Sequence, residues 1–331
     1  MTDHALADHY EAALFDLDGV VYLGPAAVEG APEGIRALKQ RGTKVGFVTN
    51  NAARKPQVVV DHLVGIGVPA ELSDVVTSAQ AGARMLAEHL ERGSRVLIVG
   101  TEALADEVAA VGMEPVWSSA DDPVAAIQGY DPQLTWPRLD DACLVIQGGA
   151  RWFVTNTDST RPTDKGLVPG AGAQIHAIGL TTSQEPLVAG KPATPLLIET
   201  MRRMGTEKAI FVGDRLDTDV MGAVAVGMDS LFVFTGAHGR RDLVAAGADA
   251  RPTHLGFDLR ALLEPARMAR VEGKTCTVGE QRATLTDQTV ELAVIPTDRE
   301  QQLDALWAVL QLVWTHPASS AEVVDKLDQL P

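Results

Sequence analysis

The amino-acid sequence predicts an α/β fold: a doubly wound parallel sheet, a second α/β unit inserted into it, and a small α+β appendage. From residue 12 onward, short apolar runs of strand type alternate with segments of helical period, which is typical of parallel sheets. Runs before and after a middle block both end in carboxylates, which indicates one sheet interrupted by an insertion. We expect the main unit over 1–82 and 182–264, the insertion over 83–181 and the appendage over 265–331.

The main unit has the most regular alternation of apolar runs and helical segments. Its expected elements are strands over 12–15, 44–48, 74–77, 209–212 and 230–234, helices over 31–40, 56–64, 80–90 and 194–203, and a helix that ends at 226.

The insertion and the appendage carry further elements. In the insertion we expect strands over 96–99 and 152–154, helices over 102–111 and 137–147, and a helix that opens at 169–172. In the appendage we expect an antiparallel pairing of 275–278 with 289–295, and helices over 302–314 and 321–330.

Composition and charge exclude several function classes. The 331 residues are 46% hydrophobic and carry a formal net charge of −16, which disfavours non-specific binding to nucleic acids or anionic membranes. Cys143 and Cys276 form no Cys-x-x-Cys pattern, so a zinc cluster or a disulfide framework is not expected. The first residues lack the apolar core of a signal peptide, and no apolar run has membrane-spanning length. We therefore expect a cytoplasmic protein.

Two carboxylates one residue apart follow the first strand. Asp16 and Asp18 lie in the run LFDLDGV, and residues i and i+2 of a strand face the same side. Because like charges repel, this pair is costly unless a cation or a shared proton joins it. A solvated Asp-x-Asp-Gly turn is the structural alternative.

Three other expected strand ends carry polar groups that suit the same chemistry. Besides Asp16 and Asp18, these are Thr49, Asn50, Lys191, Asp214 and Asp219. The carboxyl ends of neighbouring parallel strands converge at one edge of a sheet. Carboxylates suit Mg²⁺, while an ammonium and hydroxyl donors suit phosphoryl oxygens. The sequence lacks a Walker glycine loop, so we expect a phosphoryl site other than a nucleotide P-loop.

The segments LFDLDGV, VTNN, GKP and VGDRLDTDV, in that order, resemble the four motifs of the haloacid dehalogenase superfamily. The middle block resembles the C2-type cap of the NagD-like branch, where GYDPQLTWPRL, FVTNTDSTRPT and GLVPGAG match cap segments. The resemblance covers about residues 12–263 and implies a Rossmann-like core, a cap over 83–181 and a Mg²⁺-dependent phosphatase.

The resemblance also implies roles for the acidic residues. Asp16 matches the nucleophile that forms an aspartyl-phosphate, and Asp18 matches the general acid and base. The metal ligands match Asp16, the backbone carbonyl of Asp18, and Asp214. Asp219 matches a residue that holds metal-bound waters.

Three further residues match phosphate-binding positions of the family: Thr49, Asn50 and Lys191. Two of these three residues, Lys191 and Thr49, also have a structural alternative. Lys191 precedes a proline and could be an ordinary loop lysine, and Thr49 could cap a helix.

Four other polar residues are weaker candidates. Arg161 and Tyr130 lie in cap segments, where the family places substrate contacts. Asp158 is expected to order its own loop, and Asp217 to cap the helix that follows.

The expected function is hydrolysis of a small phosphate monoester, glycerol 3-phosphate first and phosphoglycolate next, by a homodimer. Two rival functions use the same fold. A phosphotransferase would pass the phosphoryl group to another alcohol, and a metabolite-binding protein would perform no catalysis. The role of the appendage stays open.

Overall fold

The computed structural model describes residues 4–163 and 165–331. The chain divides into two compact units. Unit 1 comprises Met1–Val45 and Lys208–Pro331, and unit 2 comprises Gly46–Glu207. Unit 2 therefore interrupts unit 1 in the sequence. Parallel sheets with intervening helices occur in both, and the predicted α/β class is confirmed.

The strands, in chain order, are β1 (Ala12–Asp16), β2 (Tyr22–Leu23), β3 (Ala26–Ala27), β4 (Lys44–Thr49), β5 (Val75–Thr77), β6 (Arg95–Val99), β7 (Glu114–Val116), β8 (Ala125–Gln128), β9 (Arg151–Val154), β10 (Thr160–Thr163), β11 (Gly166–Pro169), β12 (Leu187–Val188), β13 (Ala209–Gly213), β14 (Asp229–Val233), β15 (His254–Gly256), β16 (Ala269–Glu272), β17 (Thr275–Val278), β18 (Gln281–Thr286) and β19 (Thr289–Leu292). The helices are α1 (Ala31–Gln40), α2 (Pro56–Gly65), α3 (Ser78–His89), α4 (Glu102–Ala110), α5 (Trp136–Gln147), α6 (Ala171–Gly179), α7 (Pro195–Met204), α8 (Met221–Ala225), α9 (Arg240–Ala245) and α10 (Arg299–Thr315).

The sheet of unit 1 positions the acidic strand ends. Strands β15, β14, β13 and β1 are neighbours in that order, and each neighbouring pair is parallel. In this register Phe15 lies beside Val212. The residues that follow β1 and β13 therefore emerge at the same edge of the sheet, as the sequence predicted.

The appendage of unit 1 is a four-stranded antiparallel sheet packed on α10. The order is β16-β17-β18-β19. The expected direct pairing of 275–278 with 289–295 is wrong, because β18 lies between β17 and β19. The sequence signal of β18 is short: its buried residues are only Ala283 and Leu285, with the polar Thr284 between them.

The expected α-helix over 321–330 is also wrong. Only Glu322–Lys326 are helical, and they form a short 3₁₀ segment. The buried side chains here are Ala321, Val324, Leu327 and Leu330, spaced three apart. That spacing matches the 3.0 residues per turn of a 3₁₀ helix rather than the 3.6 of an α-helix.

One hydrophobic cluster joins the appendage to the parallel sheet of unit 1. Phe232 of β14 and Leu255 of β15 share it with Leu306 and Val309 of α10. Helix α10 buries residues on most of its faces, which accounts for its apolar sequence. Within unit 1 the appendage is therefore packed core rather than a loosely attached module.

Unit 2 contains a complete parallel sheet of its own. Its order is β12-β9-β8-β6-β7, and each of its strand pairs is parallel. Numbered along the chain, this is the order 2-1-3-4-5 of flavodoxin-like folds. Helix α3 spans the boundary expected after residue 82, and β12 lies beyond residue 181.

Within the part of the chain that the structure describes, no helix is both long and apolar enough to span a bilayer.

Candidate active site

Three carboxylates of unit 1 form an acidic group. One oxygen from each of Asp16, Asp214 and Asp219 lies within 4.8 Å of the others. Asp16 ends β1, and Asp214 directly follows β13. Asp214 and Asp219 are buried, and Asp16 is half-buried. Across residues 4–163 and 165–331, no other set of three metal-ligating side chains converges in this way.

The backbone leaves little free space around Asp214. The N–H of Ala237 donates to Asp214 Oδ2 at 2.7 Å. A Cβ atom added at Gly236 would lie 1.9 Å from that oxygen, and one added at Gly19 would lie 2.6 Å from it. Only glycine allows this close approach, so two loops fix the carboxylate in place.

Asp219 is held by donors from its own segment. Its Oδ2 accepts from the backbone N–H of Arg215 at 3.1 Å, and its Oδ1 accepts from the Thr218 hydroxyl at 3.4 Å. The expectation that Asp217 caps the following helix is wrong. Its carboxylate instead pairs with the Arg215 side chain at 2.6 Å. Asp217 lies inside the helical turn Leu216–Val220, and Arg215 holds the N-cap position of that turn.

Asp18 lies outside this acidic group and is exposed. The chain turns after it: the N–H of Gly19 donates to the carbonyl of Tyr22 at 2.9 Å. The Thr235 hydroxyl donates to the carbonyl of Gly19 at 2.5 Å. The Asp-x-Asp-Gly segment is thus a braced turn that presents one carboxylate to the group and one to solvent.

The acidic group has the donor set of a divalent cation site. Close carboxylates repel one another, and the repulsion grows where two of them are buried. A cation removes that cost, and oxygen ligands suit hard ions such as Mg²⁺. The residues present therefore fit the metal that the sequence predicted.

In unit 2, Asn50 holds the backbone of Lys191. The Asn50 amide donates to the Lys191 carbonyl at 3.0 Å and accepts from the Lys191 N–H at 2.9 Å. A Cβ atom added at Gly190 would lie 2.7 Å from Asn50 Oδ1. Lys191 is 2% exposed. It is therefore a buried, positioned lysine rather than an ordinary loop lysine.

The same asparagine collects three further partners. Its side chain donates to the carboxylate of Asp158 at 3.2 and 3.3 Å. Its backbone carbonyl accepts from Asn156 at 2.7 Å and from the Ser78 hydroxyl at 2.6 Å. Sequence reasoning missed Ser78 and Asn156. The FVTNTDS segment holds Asn156, but its spacing to Asn50 carries no signal of contact.

Thr49 is buried at the end of β4. Its hydroxyl accepts from the N–H of Asn51 at 3.1 Å and so shapes the loop that holds Asn50. The alternative that Thr49 caps a helix is wrong, because Lys55 is the N-cap of α2.

Arg161 and Tyr130 contact each other. The Arg161 Nε donates to the Tyr130 hydroxyl at 3.0 Å, and the guanidinium lies 5.0 Å from the ring centre. Arg161 is exposed. The two candidates that the sequence identified separately thus form one surface pair.

Unit 2 also contains a cleft of about 550 Å³ at the carboxyl ends of β6 and β8. Arg138 spans it: it donates to Asp131 at 2.8 Å and to the carbonyl of Gly100 at 2.8 Å, and its guanidinium lies 5.2 Å from the Trp117 ring centre. Sequence reasoning identified none of these as lining residues. In parallel sheets of this order, ligands bind at such a position.

Comparison with known proteins identifies the family of this chain. Residues 13–114 match the model of haloacid dehalogenase-like hydrolases, and residues 188–262 match a model of HAD-like hydrolases. D-glycerol 3-phosphate phosphatase of Mycobacterium tuberculosis is 45% identical over 267 residues, which cover 81% of this chain and 75% of that protein. The 5′-nucleotidase YutF of Bacillus subtilis is 35% identical over 74% of this chain and 94% of its own.

Solved structures agree. The glycerol phosphate phosphatase Rv1692 of M. tuberculosis in complex with magnesium superposes with a TM-score of 0.82 at 40% identity, covering 94% of this chain and 92% of that one. The 4-nitrophenylphosphatase of Thermotoga maritima gives a TM-score of 0.72 at 31% identity, covering 78% of this chain and 98% of that one. The chain belongs to the haloacid dehalogenase-like hydrolases. Within that family it is a phosphatase, and the relative with 45% identity acts on D-glycerol 3-phosphate.

Proposed function

We propose that this chain is a Mg²⁺-dependent phosphatase that hydrolyses glycerol 3-phosphate through an aspartyl-phosphate intermediate on Asp16. The convergence of Asp16, Asp214 and Asp219 within 4.8 Å is the observation that carries the proposal. The similarity to the M. tuberculosis enzyme, over 81% of this chain, supports the choice of substrate. Phosphoglycolate is the next substrate to test.

The proposed reaction has two steps. A carboxylate oxygen of Asp16 attacks phosphorus, the ester P–O bond breaks, and the carboxyl group of Asp18 gives its proton to the departing alkoxide. Water then attacks the same phosphorus, Asp18 takes a proton from it, and the bond to Asp16 breaks to release inorganic phosphate.

The remaining roles follow from the motif order. Asp16, the backbone carbonyl of Asp18, and Asp214 would hold Mg²⁺, and Asp219 would orient its waters. When bound, the ion would neutralise charge on the phosphoryl oxygens.

From the motif order we assign Thr49, Asn50 and Lys191 to phosphate binding. Since the Asn50 side chain is engaged with Lys191 and Asp158, we assign it the task of positioning Lys191. Arg161 and Tyr130 are candidates for substrate contact as one pair.

Domain roles complete the proposal. Residues 83–181 would act as the cap and 1–82 with 182–264 as the core, while 265–331 form the appendage. A cytoplasmic homodimer is the expected assembly, which light scattering on the purified protein would test.

The decisive experiment measures phosphate release, with Mg²⁺, from a panel of small phosphate esters. Asp16→Asn is expected to abolish release, and acid-quenched wild-type enzyme should carry phosphate on Asp16 by mass spectrometry. Asp217→Asn is the matched control, because its carboxylate pairs with Arg215 outside the acidic group. Full turnover by Asp16→Asn would refute the covalent mechanism, and transfer to added alcohols would favour the phosphotransferase.

A further inference from the structure

The loop over residues 236–238 of unit 1 contacts Asp214 through its backbone. Ala237 donates its N–H to the Asp214 carboxylate at 2.7 Å, and His238 donates its N–H to the Asp214 carbonyl at 3.3 Å. The N–H of Leu216 donates to His238 Nδ1 at 2.9 Å. With the close approach of Gly236 described above, the position of this carboxylate depends on where residues 236–238 lie.

The next two residues of that loop are held by the last part of the appendage. The backbone N–H of Arg240 donates to the carbonyl of Pro331 at 3.0 Å, and Arg240 Nη1 donates to the carbonyl of Leu330. A Cβ atom added at Gly239 would lie 2.8 Å from the Pro331 oxygen. The loop and this segment are therefore in close backbone contact.

That segment is itself anchored to a buried helix. Gln302 of α10 is 1% exposed. Its amide donates to Asp328 Oδ1 at 2.9 Å and accepts from the N–H of Gln329 at 2.9 Å. Leu327 and Leu330 are buried in the hydrophobic cluster around α10. Residues 328–331 thus have a fixed position relative to the core of unit 1.

Helix α9 begins at Arg240, directly after this loop, and the appendage contacts this helix as well. Trp314 of α10 donates its indole N–H to the carbonyl of Leu243 at 3.0 Å. The appendage therefore contacts α9 at two places: Trp314 bonds to Leu243 near its end, and residues 330–331 bond to Arg240 at its start. A loop that positions a metal ligand benefits from such support, because outer partners orient the ligands that touch the ion.

From this continuous chain of contacts we infer that residues 328–331 and Arg240 are positioning residues for the metal ligand Asp214. They act through the 236–240 loop, and this gives the appendage a role in the metal site. The inference rests on the proposed function, since it takes Asp214 as a ligand of the divalent ion.

The test measures metal binding directly, without substrate. Mn²⁺ serves as the probe and is titrated by electron paramagnetic resonance into four variants: Arg240→Ala, Arg240→Lys, Gly239→Ala and Arg241→Ala. Arg240→Lys keeps a donor for Leu330. The matched control is Arg241→Ala, because the Arg241 side chain is 76% exposed and forms a surface ion pair with Asp325. Thermal unfolding of each variant is recorded in parallel.

We expect Arg240→Ala and Gly239→Ala to weaken Mn²⁺ binding about fivefold, which is less than the roughly 10–100-fold for partners that contact ligands directly. Arg240→Lys should recover most of the affinity, and Arg241→Ala should match the wild type. The double variant Gly239→Ala/Arg240→Ala should bind Mn²⁺ only slightly more weakly than either single variant, because both substitutions disrupt the same contact with residues 330–331.

Unchanged Mn²⁺ affinity in Arg240→Ala and Gly239→Ala would overturn the inference while leaving the proposed function intact. If the wild type itself binds no Mn²⁺, the proposed metal-dependent function fails, and the inference fails with it. Should Arg240→Ala not fold, Gly239→Ala decides in the same way. Equal loss of affinity in Arg241→Ala would show a general structural effect and would also overturn the inference.

Discussion

Replacing Asn50 by alanine would remove the side chain that holds Lys191. Two neutral hydrogen bonds to the Lys191 backbone disappear, as does the donation to the Asp158 carboxylate. A neutral bond contributes about 1 kcal/mol and one to a charged group about 1.5–3 kcal/mol. Since Asn50 is half-buried, water can replace part of this. We expect a loss of about 3 kcal/mol in the free energy of unfolding.

Urea unfolding followed by circular dichroism measures this loss. Asn51→Ala is the matched control, because the neighbouring asparagine is exposed and its side chain accepts a local hydrogen bond from the N–H of Ala53. Its midpoint should stay close to that of the wild type. Asn50→Asp should be at least as unstable as Asn50→Ala at neutral pH, because its new carboxylate would face Asp158.

A kinetic measurement distinguishes misplacement of Lys191 from a general loss of stability. Because Lys191 is assigned to phosphate binding, Asn50→Ala should raise KM for glycerol 3-phosphate under conditions where the variant is fully folded. The reasoning is refuted if Asn50→Ala unfolds at the same urea concentration as the wild type, since the three bonds would then contribute nothing measurable.

Three further predictions concern pH, packing and metal. Burial raises the pKa of Glu199, but hydrogen bonds from two arginines of its helix outweigh this and hold it below the usual range. The ionised Glu199 carboxylate should therefore stabilise the folded protein above the unfolded-state pKa of about 4.3. This stabilisation should be lost as the pH falls through the lower pKa of the folded state. The unfolding temperatures of wild type and Glu199→Gln should converge in that acidic range. Gly236→Ala should weaken Mg²⁺ activation at least tenfold, because the added Cβ would meet the Asp214 carboxylate. Gly65→Ala is the control, because the space around Gly65 is open, and it should leave Mg²⁺ activation unchanged. Equal effects of the two substitutions would contradict the packing argument. Chelation by EDTA should abolish phosphate release and lower the unfolding temperature, because an ion at a hundredfold excess over Kd stabilises the folded state by about 2.7 kcal/mol; an unfolding temperature indifferent to Mg²⁺ would contradict a resident metal.

The acidic group could be predicted from the sequence because strand ends are visible in it. Asp16 and Asp214 each follow a short apolar run, and neighbouring parallel strands bring their ends together. The buried lysine could be identified only through the resemblance, since a lysine before a proline is uninformative by itself.

Contacts between distant loops could not be predicted. Asn50 and Lys191 are 141 residues apart, and Asn50 and Asn156 are 106 apart. Neither spacing nor periodicity encodes such a pairing, because it depends on how loops meet after the sheets form. The appendage shows the same limit at short range: β18 went unnoticed because its alternation of polarity is short, with only Ala283 and Leu285 buried.

The pairing of β1 with β13 has a consequence for synthesis of the chain. The two strands are about 200 residues apart in sequence. At ~5–20 residues per second, the strand that ends in Asp16 waits roughly 10–40 s on the ribosome before its partner exists. Unit 2, encoded between them, can fold during that interval. The carboxylates of the acidic group therefore cannot assemble during that interval, because Asp214 and Asp219 are synthesised about 200 residues after Asp16.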